Sequence, residues 1–450
     1  MLSQILAVVI FVIMFVEIVR ERFPRYLVAL VAGGATILVV FLLAMHSTEA
    51  VMTSLNLHSM GESTFWYTVG HGGEMHSGIN WSTIIFITGM MVMVEGMGEA
   101  GFFDWLCLRL AKTVNYKPAP LFVCFMILSA FLSMFIDSIT VILFLAVASV
   151  RLAHLLKFDP VPFIISQIFA ANLGGSATMS GDPPNIIIGT ALGYSFFDFL
   201  LNTGVIALVS LILMVPFFYF CFRKELVSHA DAASLASEGL HPEDAIHNKK
   251  AFTISVVIFI FIVVLLVTHA MTGLTVATVG VIAAALTLVT NKAPLHLLKR
   301  VDWETVFFFI GLFVAVSGLE ETGVLEALAN GIAAITGGNL TVMVIIIIWL
   351  SAIASAFVDN IPFAATMVPI INSLSATMGV PLDTLAWTLA MGTDIGGSAT
   401  PIGASANVAG TAIAARDGHP ISWGRYCKYS APASILVVAI SMGMILLRYC

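Results

Sequence analysis

Apolar stretches of about twenty residues, cut by short polar or Gly- and Pro-rich breaks, fill almost the whole chain. A helix needs about 20 apolar residues to cross a bilayer. The pattern therefore predicts spans over 2–19, 26–45, 82–98, 162–191 and 197–222, then over 251–268, 274–290, 306–319, 385–414 and 431–447. Two more apolar stretches, 120–152 and 342–374, are interrupted near their middles by Asp137-Ser138 and Asp359-Asn360. Each is long for one helix, and its halves are short for two spans. Both read as re-entrant hairpins with tips at the Asp residues. Residues 102–113 are short and amphipathic and are expected at the membrane interface. The expected fold is all-α and polytopic, with about ten transmembrane helices and two re-entrant hairpins.

Two of the spans are broken. Asn172-Leu-Gly-Gly-Ser-Ala-Thr-Met-Ser-Gly-Asp-Pro-Pro-Asn185 interrupts the first, and Asp394-Ile-Gly-Gly-Ser-Ala-Thr-Pro-Ile-Gly-Ala-Ser-Ala-Asn407 the second. Irregular backbone at membrane depth is tolerated only where it is buried in protein or lines a cavity. Broken helices at corresponding places in two halves point to a transporter's binding site. The halves do correspond. Trp81, Gly89, Gly96, Glu99, Gly101, Asp137, Gly174-Gly175 and Asn185 return as Trp303, Gly311, Gly318, Glu321, Gly323, Asp359, Gly396-Gly397 and Asn407, always 222 residues on. A register held that long without a gap is a duplication. Five spans per half turn the second repeat upside down. The chain divides into a first repeat (1–222), a linker (223–250) and an inverted second repeat (251–450).

Composition agrees. The 450 residues are 59% hydrophobic and 10% charged, against about 25% charged in soluble domains. The net charge of −7 gives no reason to expect a nucleic-acid partner. The five cysteines are scattered without metal-ligand spacing and read as lipid-facing or core residues. Residues 1–19 lack a basic n-region and a cleavage site, so a retained span is expected rather than a signal peptide. With the N-terminus outside, every one of the 19 Lys and Arg except Arg448 falls on the cytoplasmic side. Both termini are then outside, the linker is cytoplasmic, and the first hairpin opens from the cytoplasm and the second from outside. No nucleophile–base pair, phosphate loop or ATPase motif is present, which argues against an enzyme and against a primary pump. No cofactor is expected beyond Na⁺ or H⁺ as coupling ion.

The chemistry is concentrated at the tips and breaks. Asp137 and Asp359 are each either a cap on a half-helix or a cation ligand or proton carrier, and the two roles are compatible. Asp394 stands opposite Asn172, so one break offers a carboxylate and the other an amide. Asp182 precedes Pro183-Pro184 and leaves a capping role and a ligand role both open. A hard cation wants several oxygens. Hydroxyls come from Ser133, Ser138, Thr140, Ser176, Thr178, Ser355, Ser398 and Thr400, and amides from Asn172, Asn185, Asn360 and Asn407. Gly175 and Gly397 let backbone carbonyls approach. Na⁺ sites are expected at Asp137/Asn185 and Asp359/Asn407, with Asp137, Asp359, Asp394 and Glu95 as proton-coupling candidates. Half-helix N-termini favour anions, so an oxyanion stays open, although no Lys or Arg lies in any predicted span. The loop 46–80 carries His46, His58, His71, His76, Glu49, Glu62 and Glu74 and no Lys or Arg. It is either a solvated outer loop or a pH-responsive or metal-binding lid.

Phe135-Ile-Asp-Ser138, Gly174 to Asn185, Val358-Asp-Asn-Ile-Pro-Phe363 and Gly403-Ala-Ser-Ala-Asn407 resemble the ion transporter superfamily. That group holds arsenite permeases, D-type sodium–proton antiporters, the P-protein branch and the divalent anion/sodium symporters. The likeness covers nearly the whole chain and is greatest to the P-protein branch. It implies a scaffold domain, a moving transport domain, and a site between two hairpin tips and two broken helices. The dicarboxylate symporters carry Ser-Asn-Thr at the tips. This chain carries Asp-Ser-Ile and Asp-Asn-Ile, which argues against a di- or tricarboxylate substrate. The first tip has Ser138 where this branch usually has Asn. The expected function is a secondary transporter moving a small inorganic ion by alternating access, with Na⁺/H⁺ antiport as the leading version. A proton-coupled arsenite or inorganic-anion permease is the alternative, and an ion channel the alternative of another class. The expected setting is the lipid bilayer of a prokaryotic plasma (inner) membrane, with a homodimer through the scaffold by analogy.

Overall fold

The structure, a computed structural model, describes residues 1–20, 22–68, 78–226, 241–246 and 248–450. Helices account for the architecture, and the one β-bridge among the described residues joins Tyr67 to Leu274. The first repeat runs α1 (Leu2–Arg20), α2 (Arg25–Ala35, continuing as a π-helix over Thr36–Ala44), α3 (Trp81–Glu99) and α4 (Phe102–Thr113). A hairpin, α5 (Pro118–Ser133) and α6 (Ser138–Leu156), follows, then a broken helix, α7 (Val161–Gly175) and α8 (Pro183–Leu192), then α9 (Thr203–Phe222). The second repeat runs α10 (Lys249–Thr272), α11 (Val276–Thr290), α12 (Trp303–Glu321) and α13 (Val324–Thr336). Its hairpin is α14 (Leu340–Phe357) and α15 (Asn360–Met378), and its broken helix α16 (Leu382–Gly397) and α17 (Ser405–Arg416). It closes with α18 (Trp423–Tyr449).

The duplication holds at the level of helix ends. α3 and α12 start and stop at equivalent residues, as do α6 and α15, and both breaks open after Gly175 and Gly397. The same local chemistry sets these ends. Asn80 and Asp302 cap α3 and α12 through the N–H groups of Thr83 and Thr305. Gly101 and Gly323, both at positive φ, turn the chain into α4 and α13.

Each repeat lends its second helix to the other. α2 packs along α12, and α11 along α3. In lipid no hydrophobic force drives helices together, so backbones must approach closely. A Cβ on Gly89 would lie 2.0 Å from the Gly280 carbonyl oxygen, and one on Gly311 2.3 Å from the Ala29 carbonyl carbon. Within each repeat the first hairpin arm packs on the broken helix, α5 on α7 and α14 on α16. Across the repeats α6 packs on α17 and α15 on α8. Hairpins and broken helices thus form one interlocked unit with the tips inside.

Four expectations change. The hairpin arms are longer than the apolar pattern suggested, at 16 and 19 residues in the first and 18 and 19 in the second. Among the described residues ten helices are long and apolar enough to cross a membrane, but α6, α14 and α15 are among them. α11 and the pieces of the broken helices are too short. A break divides one apolar length between two pieces, whereas a hairpin arm keeps its length against the core. Secondly, α13 is a helix where none was expected, the counterpart of α4. Thirdly, basic side chains do lie in helices: Arg25 opens α2, and Arg425 and Lys428 lie in the first turns of α18. α18 starts eight residues before the apolar stretch and continues through Pro432. Fourthly, the loop 46–80 is partly helical over Thr48–Leu55, His58–Gly61 and Ser63–Trp66. It is tied to α11 by Thr278 Oγ1 donating to the Trp66 carbonyl at 2.6 Å. His58 bonds Glu62 at 3.1 Å, while His71, Glu74 and His76 lie outside the described residues.

Polar contacts sort the loops into two ends. One end joins Arg151 to Asp104, Arg425 to Asp159 and Glu225, Arg300 to Glu95, and Asp417 to His154 and His419. The other joins Asn80 to Thr190, Arg448 to the Leu201 carbonyl, and Tyr449 to Asn202. All five cysteines are free, Cys107 buried and Cys450 exposed.

Candidate ion site at the hairpin tips

Both tip carboxylates cap their helices. Asp137 accepts the Thr140 N–H at 2.9 Å and the Thr140 hydroxyl at 2.6 Å. Asp359 accepts the Ile361 N–H at 3.1 Å on one oxygen. Its other oxygen accepts the Ser405 hydroxyl and the Arg25 guanidinium, both at 2.7 Å. A carboxylate at a helix N-terminus also meets the positive end of the helix dipole.

Asp182 is different. It stands at the cap position of α8 but makes no side-chain cap bond. Pro183 and Pro184 follow it, and neither has an N–H to donate. Its oxygens turn to the tips instead. One accepts the Ser138 hydroxyl at 2.7 Å and the other the Asn360 amide at 3.1 Å. Ser138 and Asn360 are repeat partners, so one buried carboxylate, 2% exposed, joins the two tips.

The breaks are braced by amides. Asn185 donates to the carbonyls of Gly175 at 3.1 Å and Thr178 at 3.2 Å, and Asn407 to those of Gly397 at 2.8 Å and Thr400 at 2.7 Å. The Thr178 and Thr400 hydroxyls reach back to the Met134 and Ala356 carbonyls. The unwound carbonyls read from sequence as cation ligands are thus bonded to the chain's own amides. Among the described residues no hydrogen bond joins Asp137 to Asn185 or Asp359 to Asn407; each side chain bonds elsewhere. Asn172 crosses between repeats, donating to Ser398 Oγ at 3.0 Å and Asn407 Oδ1 at 2.9 Å. Its repeat partner Asp394 is fully buried and finds no hydrogen-bond partner for either oxygen. The Asn185 amide lies beside it, and Asn185 Oδ1 is unpartnered too.

The other candidates scatter. Ser133 is buried with an unpartnered hydroxyl, while Ser355 donates to the Thr393 carbonyl at 2.7 Å. Ser176 donates to the Leu173 carbonyl at 2.8 Å within its own helix. Glu95 pairs with Arg300 at 3.3 Å and with none of the tip residues. Sequence reasoning missed Arg25 and Ser405, and it left Asp182 undecided. The available signal was inequality: Asp182 has Ala404 as repeat partner, and Ser405 has Pro183.

Asp182 interacts electrostatically with Asp137, Asp359 and Asp394. Among the described residues Arg25 is the basic side chain bonded to any of the four. No three His, Cys, Asp or Glu side chains among those residues already converge as a metal centre. The arrangement is an acidic, mostly buried cluster between the hairpin tips and the breaks rather than a finished coordination cage.

A family model described as a citrate transporter, CitMHS, matches residues 15–392. An uncharacterized transporter of Mycobacterium tuberculosis, Rv2684, is 33% identical over 99% of this chain and 99% of its own length. The human P protein is 25% identical over 92% of this chain and 58% of its own length. Two solved transporters share the fold. YdaH of Alcanivorax borkumensis has a TM-score of 0.56 at 13% identity, covering 94% of this chain and 96% of that one. MtrF of Neisseria gonorrhoeae, described as one of a class of antimetabolite efflux pumps, has 0.57 at 12%, covering 94% and 93%. The superfamily resemblance read from the motifs is thereby shown, and the chain belongs to the CitMHS citrate transporter family.

Proposed function

Given that membership, we propose that the protein is a secondary active transporter exchanging a small inorganic cation, Na⁺ foremost, for protons by alternating access. The observation that carries this reading is Asp182, one buried carboxylate bonded to both hairpin tips. Asp137, Asp359 and Asp394 interact with it electrostatically, and among the described residues Arg25 is the basic side chain bonded to any of the four. Buried charge without a partner is costly, so such a cluster is completed by cations or protons. Asp137, Asp182 and Asp359 supply carboxylate oxygens, and Ser138 and Asn360 neutral ones. Cation and protons compete for the same carboxylates, which couples their movements. The distribution of basic residues supports an inner-membrane setting in a prokaryote with the linker in the cytoplasm.

A second reading has its own observation. α17 starts after Ala404, whose side chain cannot cap, and Arg25 and Ser405 stand beside that N-terminus. A helix N-terminus with a guanidinium and a hydroxyl suits a carboxylate anion, as the description of the family model would have it.

The test is reconstitution into vesicles with an acidic interior and a trapped pH dye. External Na⁺, Li⁺ or K⁺ is added, and labelled citrate and arsenite are followed in parallel. Alkalinisation of the interior by Na⁺ or Li⁺, lost in Asp182→Asn, is the expected result. Uptake of labelled citrate or arsenite with no response to any cation overturns the antiport reading.

A further inference from the structure

Arg25 belongs to one unit and bonds another. It is the first residue of α2, which packs along α12 with α1 beside it. Its guanidinium leaves that bundle and donates from Nη1 to Asp359 Oδ2 at 2.7 Å and to Ser405 Oγ at 3.1 Å. Asp359 caps α15 at the second hairpin tip, and Ser405 opens α17. One cation therefore holds the hairpin and the broken helix of the second repeat to a helix of the first. Asp359 is 4% exposed, so its charge has little solvent to lean on.

Among the described residues the first tip has no such contact. Thr36 packs against Gly318 as Thr287 packs against Gly96, and Ala29 meets Gly311 as Gly280 meets Gly89. These pairs put α2 and α11 in register 251 residues apart. Val276 is then the counterpart of Arg25, each the first residue of its helix. Val276 is buried, and Asp137 bonds Thr140. The tip architecture therefore forms without a basic residue at this place. What Arg25 adds is a charged link across two units that one tip has and the other lacks.

We propose that Arg25 is an internal counter-cation and latch. In the conformation seen it neutralises Asp359 and ties the second tip to the α2–α12 bundle. Movement of the hairpin unit requires its release, and the transported cation takes its place on Asp359. The displacement step rests on the cation reading above; the latch itself does not. A guanidinium stays charged at any physiological pH, so it serves the empty carrier whether or not protons are bound. A site occupied by such an internal competitor shows a weaker apparent affinity, reduced by the fraction of time it is free.

The experiment uses the full chain purified in detergent, as wild type, Arg25→Gln, Arg25→Lys, Asp359→Asn and the Arg25→Gln/Asp359→Asn double variant. Thermal midpoints are measured across NaCl and LiCl titrations at constant ionic strength. Arg25→Gln and Asp359→Asn should each lower the midpoint without salt, and the double variant should be no worse than the poorer single one. The half-point of cation stabilisation should fall about tenfold in Arg25→Gln, stay near wild type in Arg25→Lys, and be lost with Asp359→Asn. Additive losses together with an unchanged half-point overturn the proposal. Coupled midpoints with no cation response in any protein keep the latch and overturn the cation reading. A wild-type cation response whose half-point Arg25→Gln does not move keeps that reading and overturns the displacement.

Discussion

The two hairpin tips share a backbone register and spend their carboxylates differently. Asp137 is closed on its own helix through Thr140, while Asp359 reaches outward to Ser405 and Arg25. The breaks behind them differ in the same way. Asn172 ties the first to the second, whereas Asp394, in the equivalent place, lies beside the Asn185 amide with neither oxygen hydrogen-bonded. Asp182 has Ala404 as its partner. Duplication thus supplies a symmetric cage, and a handful of substitutions make the cage acidic and lopsided.

The deepest break in that comparison is Asp182→Ala, which makes the first repeat like the second at this position. It deprives Ser138 and Asn360 of a shared charged acceptor. Hydrogen bonds to a charged group contribute about 1.5–3 kcal/mol each, so a stability loss of about 3 kcal/mol and no vesicle transport are expected. Asp182→Asn keeps an acceptor for Ser138 and should fold well yet still fail to transport. A variant Asp182→Ala that transports normally would remove this carboxylate from the centre of the site.

Gly174→Ala and Gly396→Ala test the symmetric part. A Cβ at Gly174 would stand 2.0 Å from the Ala130 carbonyl oxygen, and one at Gly396 2.3 Å from the Ala352 Cα. Neither neighbour is a flexible side-chain end, so both changes must shift a helix, at about 1–3 kcal/mol each. Near-equal drops in melting temperature are expected. A large loss in one half alone would show that the repeats pack their hairpins differently.

These glycines also show what could be read in advance. Their period, the broken helices and the two Asp-bearing tips were legible because they repeat: Gly174-Gly175 and Gly396-Gly397 announce themselves by return. Arg25 was not legible. It looked like one of three arginines in a short connection, and only the placement of α2 against α12 brings it to Asp359. What Asp137 and Asn185 bond to was hidden for a related reason. Both are polar and symmetric, but Asn185 is spent on the carbonyls of its own break. Sequence periodicity reports the cage; it does not report which atoms satisfy one another.

Asp394→Asn sharpens the comparison by restoring the symmetry that Asp394 breaks. An amide there could donate to Asn185 Oδ1 as Asn172 donates to Asn407 Oδ1 at 2.9 Å. Satisfying that buried acceptor should raise stability by about 1 kcal/mol, read as a higher thermal midpoint. If Asp394 takes part in proton exchange, the same variant loses the pH dependence of transport. Unchanged stability and an unchanged pH profile would make the Asn172/Asp394 difference neutral.

The smallest effect is expected where the second broken helix ends. α8 hands over to a capping box between Ser195 and Asp198, whereas α17 ends at Asp417, held by His154 at 2.7 Å and His419 at 3.1 Å. The hydrogen bond from His154 holds the Asp417 carboxyl below its ordinary value of 3.8. A carboxylate lowered in the folded state adds stability above its unfolded pKa and loses it as pH falls through the folded one. Thermal midpoints of the wild type and Asp417→Asn should therefore differ modestly at pH 7. They should converge below about pH 3, under the usual Asp range. Because the group is near the surface, added salt should shrink the gap. A gap that persists in acid would instead assign Asp417 a packing role and leave the two helix ends alike in their electrostatics.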